Sequence, residues 1–135
     1  MKIMRVDVRA GRVESEAVEV LVLTHCEGDA LSKQATVIDK SMGGALRELL
    51  QSKEFEGKSN ELALVHTQSK VPAKRILLVG LGKEKDVTVD QLRQARGHAG
   101  KRVRQVKASF FTVAVPSVEP QGSSPVEVAQ AMAEG

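Results

Sequence analysis

The sequence predicts one α/β domain, a three-layer α/β/α sandwich built on a mixed, mostly parallel sheet. Segments with strand character alternate along the chain with segments of helical periodicity. Residues 18–23 and 76–79 are almost continuous runs of Val, Ile and Leu, which is typical of strands that helices cover on both faces. The 135 residues are enough for one hydrophobic core and give no reason to expect two packed domains.

The amino-acid composition excludes or disfavours several functional classes for this chain. With 41% hydrophobic and 27% charged residues, the chain has ordinary globular usage. Three Phe and no Trp or Tyr leave little aromatic surface for stacking single-stranded bases. The single cysteine, Cys26, excludes an internal disulfide and a thiolate zinc cage. No apolar run approaches membrane-spanning length and charges interrupt the first seven residues, so we expect no signal peptide, no membrane contact and a cytoplasmic location.

The first half of the chain is predicted to contain three strands and one helix. Alternation over residues 1–8 indicates an edge strand with one solvated face, and residues 18–23 a strand inside the sheet, followed by a loop over 25–28. Apolar residues recur at helical spacing over 34–52. Gly43 and Gly44 fall inside this helix and are a candidate break, because a glycine pair costs about 1–2 kcal/mol relative to Ala. A turn over 56–60 and a strand over 62–67 follow.

The second half continues the alternation. A strand over 75–79 ends at Gly80-Leu81-Gly82, and Thr88 and Gln91 have the spacing of a capping box that starts a helix over 88–107. The last strand is predicted over 110–115, with a Pro/Gly/Ser-rich linker over 116–124 and a helix from Pro125. We therefore expect a domain over 1–116, and over 117–135 a linker and the start of a helix that leads to a further domain.

Several motifs that suggest chemistry fail on closer inspection. Gly80 and Gly82 follow a strand as in a phosphate loop, but Lys85 stands where a dinucleotide fingerprint needs its third glycine, which favours a tight strand exit. Cys26 is expected to be a small, partly buried apolar residue. No metal site is predicted from His25, His66 and His98, because none of them has a second histidine at i+4.

The pair Gly43-Gly44 leaves two interpretations open. It is either the anion-receiving start of a helix, as at a nucleotide phosphate, or a place where helix and sheet pack so closely that only small residues fit. The absence of an Arg or Asn motif nearby favours close packing.

Charge is distributed unevenly along the chain. The formal net charge is +3, yet residues 74–107 carry ten basic and three acidic side chains. Arg93, Lys101 and Arg104 lie off the apolar stripe of the predicted helix 88–107. These three residues form either a solvated helix face or a contact surface for DNA or another acidic partner.

Four segments carry a resemblance to a known family. Residues 38–46 (IDKSMGGAL), 55–58 (FEGK), the strand 62–67 and the run 73–84 (AKRILLVGLGKE) are similar, in order and spacing, to the N-terminal domain of the leucine aminopeptidase (cytosol aminopeptidase) family. The similarity continues through 92–106 and 128–135, and the run 73–84 is its most specific part.

The resemblance implies a macro-domain-like fold and a parent metalloprotease that releases N-terminal amino acids from peptides. Its two divalent metal ions, manganese or zinc, belong to a C-terminal catalytic domain. The family is cytosolic and assembles as a hexamer, and some bacterial members bind DNA. Residues 130–135 lack the family's metal-ligand motif, so no catalytic, cofactor-binding or metal-ligating residue is assigned here. The Asn-containing signature of ADP-ribose binders is also missing between Leu23 and Ser41.

Two functional hypotheses follow. The first is a non-catalytic N-terminal domain of a leucyl aminopeptidase that contributes to assembly and active-site access, inactive by itself, with its own catalytic domain, further copies of the chain and the parent enzyme's peptide substrate as partners. The alternative is a DNA- or nucleotide-binding module that uses the basic helix 88–107 or the Gly43-Gly44 loop.

Overall fold

The computed structural model describes residues 5–9, 17–108 and 110–114. The elements in chain order are β1 (Arg5–Arg9), β2 (Val20–Cys26), α1 (Lys33–Ser41), α2 (Ala45–Gln51), β3 (Leu62–His66), β4 (Arg75–Gly82), α3 (Val89–Gln105) and β5 (Phe110–Ala114). A one-turn 3₁₀ helix, Glu84–Asp86, separates β4 from α3. The predicted linker 116–124, the helix from Pro125 and the domain boundary at 116 lie outside the described residues.

The five strands form one mixed sheet in the order β1-β5-β2-β4-β3. Strands β1, β5, β2 and β4 run parallel, whereas β3 pairs antiparallel with β4. β2 lies at the centre, as predicted for the apolar run 18–23, and β1 lies at an edge, as predicted for residues 1–8. The α/β class and the mixed, mostly parallel sheet are therefore confirmed.

Helices cover both faces of the sheet because the central strands are apolar on both. Along β2, Val20 and Val22 pack in the cluster beneath α3, and Leu21 and Leu23 pack in the cluster beneath α1 and α2. β4 divides its side chains between the same two clusters. This alternation produces the three layers, with the helical pair on one side and the single long helix on the other.

The predicted helix 34–52 is broken at the glycine pair. Gly43 and Gly44 have φ of +70° and +85°, and they connect α1 to α2. A Cβ built on either glycine would meet no atom within 4 Å, so the close-packing interpretation was wrong. These positions require glycine because the backbone is left-handed there.

The capping box at the start of α3 forms only in part. The Thr88 hydroxyl accepts a hydrogen bond from the Gln91 backbone N–H at 3.1 Å, as predicted. The Gln91 side-chain amide, however, donates to the Leu81 carbonyl and, at 2.8 Å, to the Ser59 hydroxyl. Gln91 therefore ties the start of α3 to the end of β4, because its side chain bonds to these two acceptors and does not reach back to the Thr88 backbone N–H.

Two strands run further than predicted. The expected loop over 25–28 begins two residues later, since His25 and Cys26 continue β2, and β4 continues through Gly82. The two extensions pair with each other, His25 with Gly80 and Cys26 with Gly82, across a local register irregularity. Both segments are strands despite their turn-forming composition, because each supplies the other with a strand partner.

The turn Thr67–Lys70 after β3 stores backbone strain that is open to a stabilising change. Gln68 and Ser69 both have positive φ, 53° and 66°, and the Lys70 N–H donates to the Thr67 carbonyl at 3.0 Å. Positive φ at both central positions is the type I′ pattern, which favours Asn-Gly. The double substitution Gln68→Asn and Ser69→Gly should raise the free energy of unfolding by about 1 kcal/mol.

Chemical denaturation measures this change. A matched control, Gln68→Ala with Ser69→Ala, keeps a Cβ at both left-handed positions and should give no gain. Equal stability of the Asn-Gly variant and the Ala-Ala variant would contradict the assignment of strain to this turn.

Candidate functional site

The three predicted contact residues lie together on the solvent face of α3. Arg93, Lys101 and Arg104 are exposed, and helical geometry places them within about a quarter of the circumference and over about 16 Å of the axis. Gly97 lies between them, is exposed, and has open space where a Cβ would stand. The structure thus presents a basic strip, defined here as Arg93, Lys101 and Arg104, with no side chain at its centre.

Two other arginines of α3 serve the fold. The Arg96 guanidinium carbon lies 5.6 Å from the centroid of the Phe111 ring, within range of a cation–π contact. Burial, together with the charge of Arg104, lowers the pKa of Arg96. The half-buried Arg102 donates from Nη1 to Gln105 Oε1 at 3.3 Å. Arg96 and Arg102 are half-buried, so they are not counted in the exposed basic strip.

An internal carboxylate occupies the start of α2. Asp39, which is buried, accepts the Leu46 backbone N–H at 2.7 Å through Oδ1, and its carbonyl accepts the Gly44 N–H at 2.9 Å. A phosphate at this position would meet the Asp39 carboxylate in place of a free amide. The Gly43-Gly44 loop therefore offers no support for nucleotide binding.

The carboxyl ends of β2 and β4 form the crevice where sheets of this class usually take a ligand. The helix that follows β2 packs on one face of the sheet, and the helix that follows β4 packs on the other face. The point between these two neighbouring strands is therefore the topological switch point of the sheet. One cleft there has a volume of about 80 Å³ and is walled in part by Asp29 and Glu84, and another, of about 360 Å³, is walled in part by Glu27, Asp29 and Glu56. The first is smaller than the roughly 300 Å³ that a cofactor pocket needs, and the carboxylates around both clefts repel phosphate.

The glycines of this crevice bring backbone close to backbone. A Cβ on Gly80 would collide with the Lys58 carbonyl oxygen, and the Gly82 N–H donates to the Gly57 carbonyl at 2.9 Å. The segment 57–61 therefore covers the strand ends. The sequence motif Gly80-Leu81-Gly82 allows this close approach, in agreement with a structural use of these glycines.

His25 and Cys26 are buried at the end of β2. Only 7% of His25 is exposed, its ring lies 6.2 Å from that of Phe55, and Nε2 has no hydrogen-bond partner among the described residues. Burial lowers the pKa of His25, partly opposed by a hydrogen bond with the Asp29 backbone and by the Asp29 charge. Burial raises the pKa of the Cys26 thiol to about 11, so Cys26 is no nucleophile at neutral pH.

No metal site is formed within the described ranges 17–108 and 111–114. No three His, Cys, Asp or Glu side chains there come close enough to hold an ion. The three histidines lie apart, with His25 buried and His66 and His98 exposed. Nor does any described helix have the length and apolar character that a membrane span requires.

Comparison with solved structures defines the class of this fold. The macrodomain of DarG from Mycobacterium tuberculosis superposes with a TM-score of 0.71 at 15% identity, covering 94% of this chain and 86% of that one. The bottromycin maturation enzyme BotP superposes with a TM-score of 0.62 at 19% identity, covering 87% of this chain and 22% of that one. The domain is therefore of the macro-domain-like α/β class.

Sequence comparison then gives the family. The model of the cytosol aminopeptidase family, N-terminal domain, matches residues 18–135. A probable cytosol aminopeptidase of Geobacter sp. (strain M21) is 38% identical over 113 residues, which are 84% of this chain and 23% of the relative. One from Roseiflexus castenholzii is 33% identical over 98% of this chain and 24% of the relative. The chain belongs to the cytosol aminopeptidase family, whose N-terminal domain it matches, and spans about a quarter of the length of these relatives.

Two carboxylates with structural roles escaped the sequence analysis. Asp39 caps α2 from seven residues away, and Glu61 Oε1 accepts the backbone N–H groups of Glu56, Gly57 and Lys58 at 2.9, 2.9 and 3.1 Å. An acid shortly after a Gly-containing turn is a weak local signal for the second contact. No local sequence signal indicates the contact of Asp39 with α2, because this contact exists only where the chain breaks between α1 and α2.

The buried His25 predicts a specific pH dependence of stability. Its folded-state pKa is lowered below the ordinary 6.5, so below that pH the unfolded chain binds a proton that the folded chain resists. Stability contributed by neutral His25 is fully present above pH 6.5 and is lost as the pH falls from 6.5 toward the folded-state pKa. His25→Gln should flatten this part of the curve.

The measurement is the free energy of unfolding between pH 5 and pH 7.5. The matched control is His98→Gln, which changes an exposed histidine of α3 and should keep the wild-type slope. A slope of the same size in the His25→Gln variant would show that His25 does not carry the effect.

Proposed function

We propose that this chain is the non-catalytic N-terminal domain of a cytosolic, hexameric metallo-aminopeptidase, and that it contributes to assembly and to access to the active site. The observation that carries the proposal is the match of residues 18–135 to the N-terminal domain of the family, together with relatives about four times longer. The peptide substrate and two manganese or zinc ions then belong to the remaining part of the enzyme.

The contacts within the domain support a structural role. Asp39 and Glu61 accept hydrogen bonds from backbone N–H groups, and the clefts at the switch point are walled in part by carboxylates. This use of the carboxylates supports the proposed role in assembly and access.

The 135-residue chain should release no product from leucine p-nitroanilide with added Mn²⁺ or Zn²⁺. The native polypeptide that carries this N-terminus should have an intact mass several times 14.5 kDa and should turn the substrate over under the same conditions. Both results follow if the metal ligands lie in another domain.

Turnover by the purified 135-residue chain would contradict the proposal. A native polypeptide that ends near Gly135 would contradict it as well, because no catalytic domain would then accompany this one. A longer native polypeptide without peptidase activity would reject the enzymatic part alone.

A second candidate function, binding of duplex DNA, is favoured by the basic strip. Three exposed cations share one face of α3, and the open space at Gly97 lets a phosphate backbone approach the helix. Phosphate contacts of this type give an affinity that does not depend on the DNA sequence and that falls as the salt concentration rises.

With three phosphate contacts, the affinity for a DNA duplex should fall roughly 40-fold between 50 and 200 mM salt. Fluorescence anisotropy of a labelled duplex measures this affinity at each salt concentration. The triple variant Arg93→Glu, Lys101→Glu and Arg104→Glu should abolish binding, because it reverses the charge of the strip.

The matched control makes the same charge change on the other helical layer. Lys40, Arg47 and Lys53 are exposed on or next to α1 and α2, and their reversal to Glu should leave DNA binding unchanged apart from the effect of net charge. Equal loss in both triple variants would reject the basic strip as the site, and salt-independent binding would reject phosphate contacts.

A further inference from the structure

The edge strand β3 has a row of backbone groups that face away from the sheet. Within the described part of the chain β3 pairs only with β4. Gly80 donates to the Glu61 carbonyl at one end of this pairing, and Thr67 donates to the Lys74 carbonyl at the other. Because antiparallel bonding alternates by residue, the odd-numbered positions bond to β4, and Leu62, Leu64 and His66 direct their N–H and C=O groups to the open edge.

The side chains of β3 do nothing to discourage pairing. The strand reads Leu-Ala-Leu-Val-His, without Lys, Glu, Pro or a bulge, and its register against β4 is continuous. Natural edge strands usually carry such protective features. The opposite edge, β1, has them in its sequence, with Arg5, Asp7 and Arg9 at alternate positions. β3 therefore has less protection against pairing with another strand than β1 has.

We propose that β3 pairs with β3 of a second copy of this chain, antiparallel across a twofold axis at Leu64. This register joins Leu62 to His66 of the other copy and Leu64 to itself, so the outward groups of all three residues find partners. It places Ala63 opposite Val65, and it brings no formal charge against a like charge. The strand is thus complementary to its own copy in both backbone and side chains.

A cleft beside the axis adds contact area. It has a volume of about 480 Å³, lies between α2 and β3, and is lined by apolar residues such as Leu49 and Val65 together with polar ones that include Glu48 and Glu54. Five paired residues alone bury less than the roughly 1,200 Å² of a stable specific interface. The dimer is therefore weak, with a dissociation constant on the order of 10–100 μM.

Sedimentation velocity of the 135-residue chain from about 1 to 300 μM tests the pairing. The wild type should pass from monomer to dimer over this range. Leu64→Lys and Leu64→Glu should each stay monomeric, because like charges then meet across the axis, and an equimolar mixture of the two variants should dimerise again. Leu64→Thr, which loses similar packing without adding a charge, should still dimerise.

Several results would overturn the proposal. They are a wild type that stays monomeric at 300 μM, a Leu64→Lys variant that dimerises like the wild type, or a mixture that fails to recover while each variant is folded. If the charged variants unfold, amide hydrogen exchange of the wild type tests the pairing of β3 instead. Dilution from 300 to 1 μM should speed the exchange of the Leu62, Leu64 and His66 amides, and unchanged exchange would reject pairing at this edge.

Discussion

The parallel pairing of β2 with β4 is the interaction on which the rest of the structure depends. The two strands run side by side from the Val20–Arg75 pair to the Cys26–Gly82 pair, and both are apolar on two faces. Each fully buried Val or Leu contributes about 1.5–3 kcal/mol, but only if helices cover both faces. One apolar pair of strands therefore requires α1 and α2 on one side and α3 on the other.

The same pairing determines what happens at the carboxyl end of the sheet. Because β2 and β4 extend to Cys26 and Gly82, the segment 57–61 must pass close to their backbones, and Gly57 and Gly80 leave room for it. Glu61 then holds this segment by accepting three of its backbone N–H groups. A carboxylate that satisfies several amides fixes a loop much as a bound anion does. The crevice where sheets of this class usually take a ligand is walled in part by carboxylates here.

Local signals were sufficient for the elements and insufficient for the contacts between them. Strand and helix periodicities identified β2, β4 and α3 because each shows its burial in its own sequence. The prediction stopped β2 before His25, since the pairing with Gly80 is invisible in a single segment. Gln91 had the right spacing for a capping box, yet its amide contacts Leu81 and Ser59. The predicted strip Arg93, Lys101 and Arg104 was placed correctly on a solvent face, because an exposed helix face depends only on helical period.

The two surfaces proposed for binding belong to different elements of the domain. The basic strip lies on the solvent face of α3, and the open edge of β3 lies beyond β4, next to α2. These surfaces differ in chemistry, since one offers long, charged side chains and the other offers backbone groups flanked by apolar residues. Salt therefore weakens contacts at the strip and affects strand pairing at the edge much less. A partner on α3 and a strand on β3 can therefore be held at the same time, because different elements of the domain supply the two surfaces.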